Sequence, residues 1–554
     1  MAIGKPVQAQ TAKTAAKSTT PAAAPPAAKP TGRPLLPPVI LGSDDSKAIK
    51  LQIITGSYEK VLHGFIASIP ITSLAVPTPT TALTAPDSSE ATLQQDLLLN
   101  TGFTDSFLFT AHTSQVRCLA LSPASTSAKN SSSSKRILAT GAPDERINLY
   151  TLASSVSELP PPTADADPKT KSSSSNKHLG TLHEHTDTPT SLIFTPNRHK
   201  LITAGEDSQI LIFRTRDWSL LSTLKVPKPK AMGASIGLLG NGERPGGVND
   251  IALHPSQKIL LSVSRGERSV RMWNLMTGRK AAVLQFKKEV MGPLVGSRTG
   301  GLSGEGQKVR WAPDGEEFAV AFERGIIIFG LDSKPKLRIK PDPQSKIHQM
   351  QYVSLASNFY ALAISTDDGR VLFYSTTPPA KEIPTDGENA DNTESNIDNP
   401  TVIGQLGGRE MGMIGRVKDF ATLEADVVME ENAAPKKALF IITSGSDGTI
   451  RIWNIHLDQI PFLQKLQEEA DDNDDIPRKK AKTTEEDSAV TTEDATASTE
   501  TKVTIPQIGN LVGIYETGRR ITCLSGMVME EGWKGDEEVE EEVSSADSSD
   551  DDSE

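Results

Sequence analysis

From Leu51 onward the chain alternates short apolar runs with turn residues. The first run, Leu51-Gln-Ile-Ile-Thr-Gly-Ser-Tyr-Glu59, leads directly into Lys60-Val-Leu-His-Gly-Phe65. The clearest copy is Ser444-Gly-Ser-Asp-Gly-Thr-Ile-Arg-Ile-Trp-Asn454. It predicts a strand ending near Ser444, a tight turn at Asp447-Gly448 and a second strand through Trp453, because Asp-Gly between β-rich runs is a strong hairpin signal. Here an acidic residue stands six positions before an aromatic, with an aliphatic residue midway. The frame occurs seven times: Glu59, Leu62, Phe65; Asp144, Ile147, Tyr150; Asp207, Ile210, Phe213; Glu267, Val270, Trp273; Glu323, Ile326, Phe329; Asp368, Val371, Tyr374; and Asp447, Ile450, Trp453.

Each frame follows a short apolar run such as Ile137-Leu-Ala-Thr140, Leu201-Ile-Thr-Ala204 or Phe440-Ile-Ile-Thr443. Several have another predicted strand upstream that ends in proline, as in Val116-Arg-Cys-Leu-Ala-Leu-Ser-Pro123 and Val248-Asn-Asp-Ile-Ala-Leu-His-Pro255. A fourth strand often follows the aromatic, as at Leu220–Leu224 and Ala281–Leu284. Four short strands per repeat predict an all-β, seven-bladed propeller, whose blades bury their faces only against one another. The first frame has no inner strand ahead of it, while the last is followed by two strands: Leu511–Tyr515 and Arg520–Leu524. The second of these is predicted to close the ring as the inner strand of the first blade.

Composition refines the boundaries. Residues 1–45 are low-complexity and are expected to form a disordered basic arm; residues 46–528 form the propeller, and 529–554 a disordered acidic tail. Polar inserts are expected near 70–104, 124–134, 154–177, 378–400 and 466–503, and Gly-rich blade connections near 231–247 and 291–307. The net charge of −12 resides in the tail: residues 530–554 hold thirteen Asp/Glu and one Lys. The first 43 residues hold Lys5, Lys13, Lys17, Lys29 and Arg33 and no acid. Two cysteines, Cys118 and Cys523, cannot make a disulfide framework and favour a reducing compartment. No run is long enough to span a membrane, and the N-terminus lacks the apolar stretch of a secretory signal.

Candidate chemistry is sparse. The frame acids Glu59, Asp144, Asp207, Glu267, Glu323, Asp368 and Asp447 come one per repeat, so they cannot converge on a substrate. They are expected to brace turns by accepting N–H bonds. His183 and His185 would share a face of a strand, but no Cys or Asp set completes a metal site. Gly301-Leu-Ser-Gly-Glu-Gly-Gln-Lys308 departs from a phosphate loop, with Val309 where Ser or Thr is needed and a strand following. Cys118 and Cys523 occupy one register of their strands; packing as buried thiols is preferred to a redox pair. No catalytic group, metal or cofactor is expected, and no small-molecule substrate.

Three features favour binding. Arg117, Lys346, Arg416, Lys418 and Arg520 begin inner strands and are predicted to ring one channel mouth, a candidate rim for RNA phosphate or an acidic peptide. Arg478, Lys479, Lys480 and Lys482 form a basic cluster within a polar insert, a candidate nuclear-import signal. Ser544, Ser545, Ser548 and Ser549 precede carboxylates in the tail, which suits acidophilic kinases.

The frames resemble WD repeats. Trp273-Asn274 and Trp453-Asn454 stand where that family has Trp-Asp, and His112 and His185 where it has its Gly-His histidine. Blades with the tryptophan lack the histidine, so no blade carries the full hydrogen-bonded set. More narrowly, residues 50–528 resemble the p21-activated-kinase-interacting WD-repeat family, whose fungal members are the "maintenance of killer" ribosome-assembly factors. The resemblance rests on Thr55–Glu59, Ala111–Val116, Gly141–Ile147, Gly247–Pro255 and Ser269–Arg279. It implies a nuclear and nucleolar scaffold for large-subunit ribosome assembly. The implied partners are assembly factors, large-subunit ribosomal proteins and pre-rRNA. Inhibition of a p21-activated kinase is the alternative.

Overall fold

The computed structural model describes residues 48–74, 101–124, 135–155, 176–228, 246–287, 290–291, 304–356, 359–377, 400–413, 415–427, 436–455, 457, 460 and 505–529. Their 28 strands form seven four-stranded antiparallel sheets. In six sheets the four strands are consecutive in the chain; in blade 1 the innermost strand is Ile521–Val528, paired with Ala48–Ser57. The closing strand is thus the one expected from the sequence, and it runs on to Val528. The other innermost strands, from blade 2 to blade 7, are Cys118–Leu121, Pro189–Phe194, Val248–Leu253, Lys308–Trp311, Ile347–Ala356 and Val417–Val427. Each touches the next, and Val417–Val427 touches Ile521–Val528, so the ring is closed.

The core is divided. Seven apolar clusters fill the seven interfaces between blades, one to each. This explains strands such as Ile326–Gly330, in which every residue is buried: both faces of a blade meet a neighbour. The cluster between blades 1 and 2 has the fewest buried members, among them Ile54, Leu62 and Tyr150.

The aromatic of every frame sits at the same irregularity. In all seven blades the register between third and outer strands shifts at that residue: Phe65, Tyr150, Phe213, Trp273, Phe329, Tyr374 and Trp453. A bulge there strengthens the local twist of the edge. The frame acids mark the turn between second and third strands. The residue after the acid takes a left-handed conformation in five blades, at Lys60, Glu145, Ser208, Gly369 and Gly448. At Gly448 the absence of a Cβ is also a packing requirement, because a Cβ would lie 2.5 Å from the Arg519 carbonyl oxygen.

Two insert boundaries need correction. The outer strand of blade 1 is Gly102–Thr110, so it begins inside the 70–104 segment, and a short 3-10 turn spans Ile71–Leu74 at the other end. This strand is mostly exposed and carries Asp105 and Ser106, so its polarity reads as loop. Likewise Lys177–Leu182 is a strand that starts on the last residue assigned to the 154–177 insert. A further element had no sequence signal. Gln507 forms a parallel bridge to Gln405, extending the edge of blade 6 just before blade 7 is completed. The arm 1–45, most of the insert residues and the tail beyond 529 lie outside the described residues.

Candidate binding surface at the channel mouth

The frame acids fall into distinct environments. In blades 2 and 3 each meets a histidine four residues ahead of its inner-strand register, at Val116 and Pro189. His112 Nδ1 lies 3.1 Å from Asp144, while its Nε2 lies 2.8 Å from the Thr140 hydroxyl. His185 Nδ1 lies 2.9 Å from Asp207 and its Nε2 2.8 Å from the Thr203 hydroxyl. Nδ1–H therefore donates to the carboxylate and Nε2 accepts from threonine. Both acids also take backbone N–H bonds, Asp144 from Thr113 and Arg146, and Asp207 from Thr186 and Gln209. Burial pushes the Asp207 carboxyl up, but the bond and charge of His185 outweigh it, so its pKa falls below the ordinary value. Burial pushes His112 down against the pull of Asp144, and it favours the neutral ring.

The remaining five acids lack that histidine. Asp447 accepts from the N–H and hydroxyl of Thr449. Glu267 pairs with Arg271, Asp368 with Arg370 and Glu323 with Lys346, and Glu59 accepts from the Arg520 N–H at 3.4 Å. In blades 4 and 7 the tryptophan forms the other half of the arrangement. Trp273 Nε1–H donates to Ser262 at 2.9 Å and Trp453 Nε1–H to Thr443 at 3.2 Å.

Inside the channel a polar belt joins six consecutive blades. Ser191 donates to Asp250 at 2.8 Å, and Arg310 donates to Asp250 at 2.6 Å and to Gln349 at 3.2 Å. Gln349 donates to Asp419 at 3.0 Å, which also accepts from the Leu524 N–H of the closing strand at 2.8 Å. Burial raises the Asp250 carboxyl, but Arg310 and Lys308 outweigh it and hold it low. For Asp419 burial prevails over its hydrogen bonds, and its pKa is raised. Sequence reading did not single out these residues. At Asp250 and Asp419 the local mark is an aspartate two residues after the valine that opens the inner strand. Cys118 and Cys523 share this level; both are free and buried, and burial pushes the Cys118 thiol up to about 12 and the Cys523 thiol upward as well.

Above the belt the five rim residues stand at the starts of inner strands: Arg117 in blade 2, Lys346 in blade 6, Arg416 and Lys418 in blade 7, and Arg520 in blade 1. Four of them come together. Burial lowers the Lys418 pKa, and the charges of Arg416, Arg520 and Lys346 lower it further against the pull of Asp367. The mouth also holds carboxylates: Lys346 lies 3.8 Å from Glu323 and Arg416 lies 3.2 Å from Asp367. Arg520 lies over the ring of Tyr58, 5.6 Å from its centre. The import cluster Arg478, Lys479, Lys480 and Lys482 is outside the described residues. The paired histidines His183 and His185 do not act together, since the His185 ring is taken up by Asp207 and Thr203. Among the described residues no three His, Cys, Asp or Glu side chains gather as a metal site, and no helix is long and apolar enough to cross a membrane.

A family profile described as "WD domain, G-beta repeat" matches residues 176–214, from the outer strand of blade 2 through the third strand of blade 3, and 435–454 in blade 7. The chain is 26% identical over 366 residues to Protein MAK11 of Saccharomyces cerevisiae, covering 63% of this chain and 69% of that one. It is 22% identical over 416 residues to a p21-activated protein kinase-interacting protein 1-like of Gallus gallus, covering 75% and 76%. The chain is similar to these WD-repeat proteins. Another relative is Shk1 kinase-binding protein 15 of Schizosaccharomyces pombe, 24% identical over 184 residues, 33% of this chain and 43% of that one. Seven blades closed into a ring and two separated halves of the WD hydrogen-bond set describe a degenerate WD-repeat scaffold.

Proposed function

We propose that this WD-repeat scaffold is non-enzymatic and works in the nucleolar assembly of the large (60S) ribosomal subunit and its pre-rRNA processing. The observation that carries the reading is the likeness to Protein MAK11 over 63% of this chain, together with the fungal resemblance drawn from the repeat motifs. The ring presents a cationic mouth and exposed turns to ribosomal proteins, assembly factors and pre-rRNA. The cluster Arg478–Lys482 directs it to the nucleus. Two relatives are named for kinase binding, and they favour a second reading, a signalling adaptor that restrains a p21-activated kinase.

Affinity purification of the tagged chain, with mass spectrometry and sequencing of co-purified RNA, separates the two. Large-subunit precursors and their rRNA are the expected catch. Recovery of a kinase without ribosomal proteins favours the adaptor. Replacing Arg478, Lys479, Lys480 and Lys482 by alanine is expected to shift a fluorescent fusion from nucleus to cytoplasm; an unchanged nuclear signal removes that assignment.

A further inference from the structure

The channel mouth is lopsided. Cations begin the inner strands of blades 6, 7, 1 and 2, which are neighbours in the ring: Lys346, Arg416 with Lys418, Arg520, and Arg117. The corresponding positions in blades 3, 4 and 5 hold Thr188 and Thr190, Gly247 and Asn249, and Glu305 and Gln307. The positive charge therefore forms an arc. Lys346 and Arg416 are about half exposed, at 51% and 53% of their side chains, despite their carboxylate neighbours. Beside Arg520 within the arc, Tyr58 is 54% exposed, with the guanidinium over its face. In the belt from Ser191 to Asp419 the polar side chains are bonded to one another, which leaves the cations of the mouth as the groups offered to a ligand.

We propose that this arc binds single-stranded RNA through its phosphodiester backbone, with Tyr58 as the platform on which one base stacks. The inference rests on the mouth being a partner-binding face of the proposed scaffold. A curved row of cations suits a ligand with regularly repeated charge and a flexible backbone. The aromatic decides between polyanions. An acidic peptide is satisfied by the cations alone, whereas an exposed ring beside a phosphate-binding arginine matches the stacking-plus-charge pattern of single-strand binding. Arg520 over the ring adds a cation to the stack. Glu59, Glu323 and Asp367 face the same mouth. They hold their partners in place and repel phosphate from the inner edge, which directs the backbone along the exposed side of the arc.

The test uses the purified full chain and a fluorescently labelled RNA of mixed sequence, about 20 nucleotides long, titrated by anisotropy at several salt concentrations. Binding is expected to weaken steeply with salt. The triple variant R416E/K418E/R520E is expected to lose roughly 100-fold or more in affinity, and its salt dependence to flatten by about two charges. Tyr58→Ala is expected to lose about tenfold with the salt slope unchanged. Thermal melting establishes that each variant is folded. If the triple variant melts early, Arg117→Glu and Tyr58→Ala, both at exposed positions, carry the comparison. Wild-type RNA affinity in folded variants overturns the proposal, as does a polyglutamate peptide that binds the arc while RNA does not. A variant that keeps RNA affinity in solution but still purifies with large-subunit precursors defeats this inference and leaves the scaffold role standing. Loss of precursors from the wild-type purification, with RNA binding intact, does the reverse.

Discussion

Blades 2 and 3 and blades 4 and 7 use the same frame from opposite ends. In blade 3 the acid is the fixed point: the Asp207 side chain is 2% exposed and held by His185. In blade 7 its counterpart Asp447 is 38% exposed, and it does no more than brace its own turn and approach Arg451. There the aromatic is the fixed point. Trp453 is fully buried, packs against blade 6 residues such as Phe373 and Ile403, and donates to Thr443. The hydroxyl on the second strand is common to both arrangements. It donates to histidine in one and accepts from tryptophan in the other. A repeat that looks uniform in sequence thus distributes its stability unevenly, and position within the frame does not predict cost.

The ring itself sets the upper limit for any such difference. Ending the chain at Gly518 removes the innermost strand of blade 1 and the Leu524 end of the channel belt. Cooperative unfolding is expected to disappear in thermal melts followed by circular dichroism, whereas a chain ending at Met529 is expected to melt like the full length. Equal melting of the two would show that closure does not hold the blades together.

Within the ring, the aromatic end of blade 7 should be the costlier one. Trp453→Ala empties a buried site between two blades and is expected to cost about 3–5 kcal/mol in denaturant unfolding. Asp207→Ala leaves His185 buried without its partner and is expected to cost about 3 kcal/mol. Asp447→Ala removes only a turn brace and is expected to cost about 1 kcal/mol or less. If the two aspartates prove equally costly, the distinction between the blades fails.

The smallest effect is the share of the pH dependence that blade 2 contributes. The His112 pKa in the fold is below its ordinary 6.5, so the unfolded chain binds that proton more readily. Stability is lost as pH falls from near 6.5 through the folded value. Asp144, whose pKa is also lowered, adds a further loss as pH falls from its ordinary 3.8 through the folded value. His112→Gln is therefore expected to make the stability profile between neutral and mildly acidic pH shallower. Trp273→Phe in blade 4 should lower stability without changing that slope. Stability measured across this range for the three proteins provides the check.

Much of this architecture was legible because the frame is local. The acid, the aliphatic and the aromatic lie on one hairpin, and their spacing survives in all seven blades even where Trp is replaced by Tyr or Phe. The closing strand was legible by counting strands. Other parts were not. Gly102–Thr110 presents Thr104, Asp105 and Ser106 among its apolar residues, and only its pairing with Val61–Pro70 makes it a strand. The belt residues Asp250, Arg310, Gln349 and Asp419 come from four blades, and nothing in their local sequence announces that they meet. The rim cations were named from strand starts, but their carboxylate neighbours and their gathering on one side of the mouth depend on blade order around the ring.

The sequence by itself determined the blade count, the strand order, the turn acids and the strand that closes the ring. These follow from short-range periodicity and turn chemistry, which act over a few residues. Tertiary structure alone decided which acids are buried, which of the five cations share a field, and that six blades are joined neighbour to neighbour around the channel. The physical reason is that burial and electrostatic coupling depend on distances between inner strands. Those distances arise only when residues more than 400 positions apart, such as Thr522 and Val116, are brought into hydrogen-bond contact by closure.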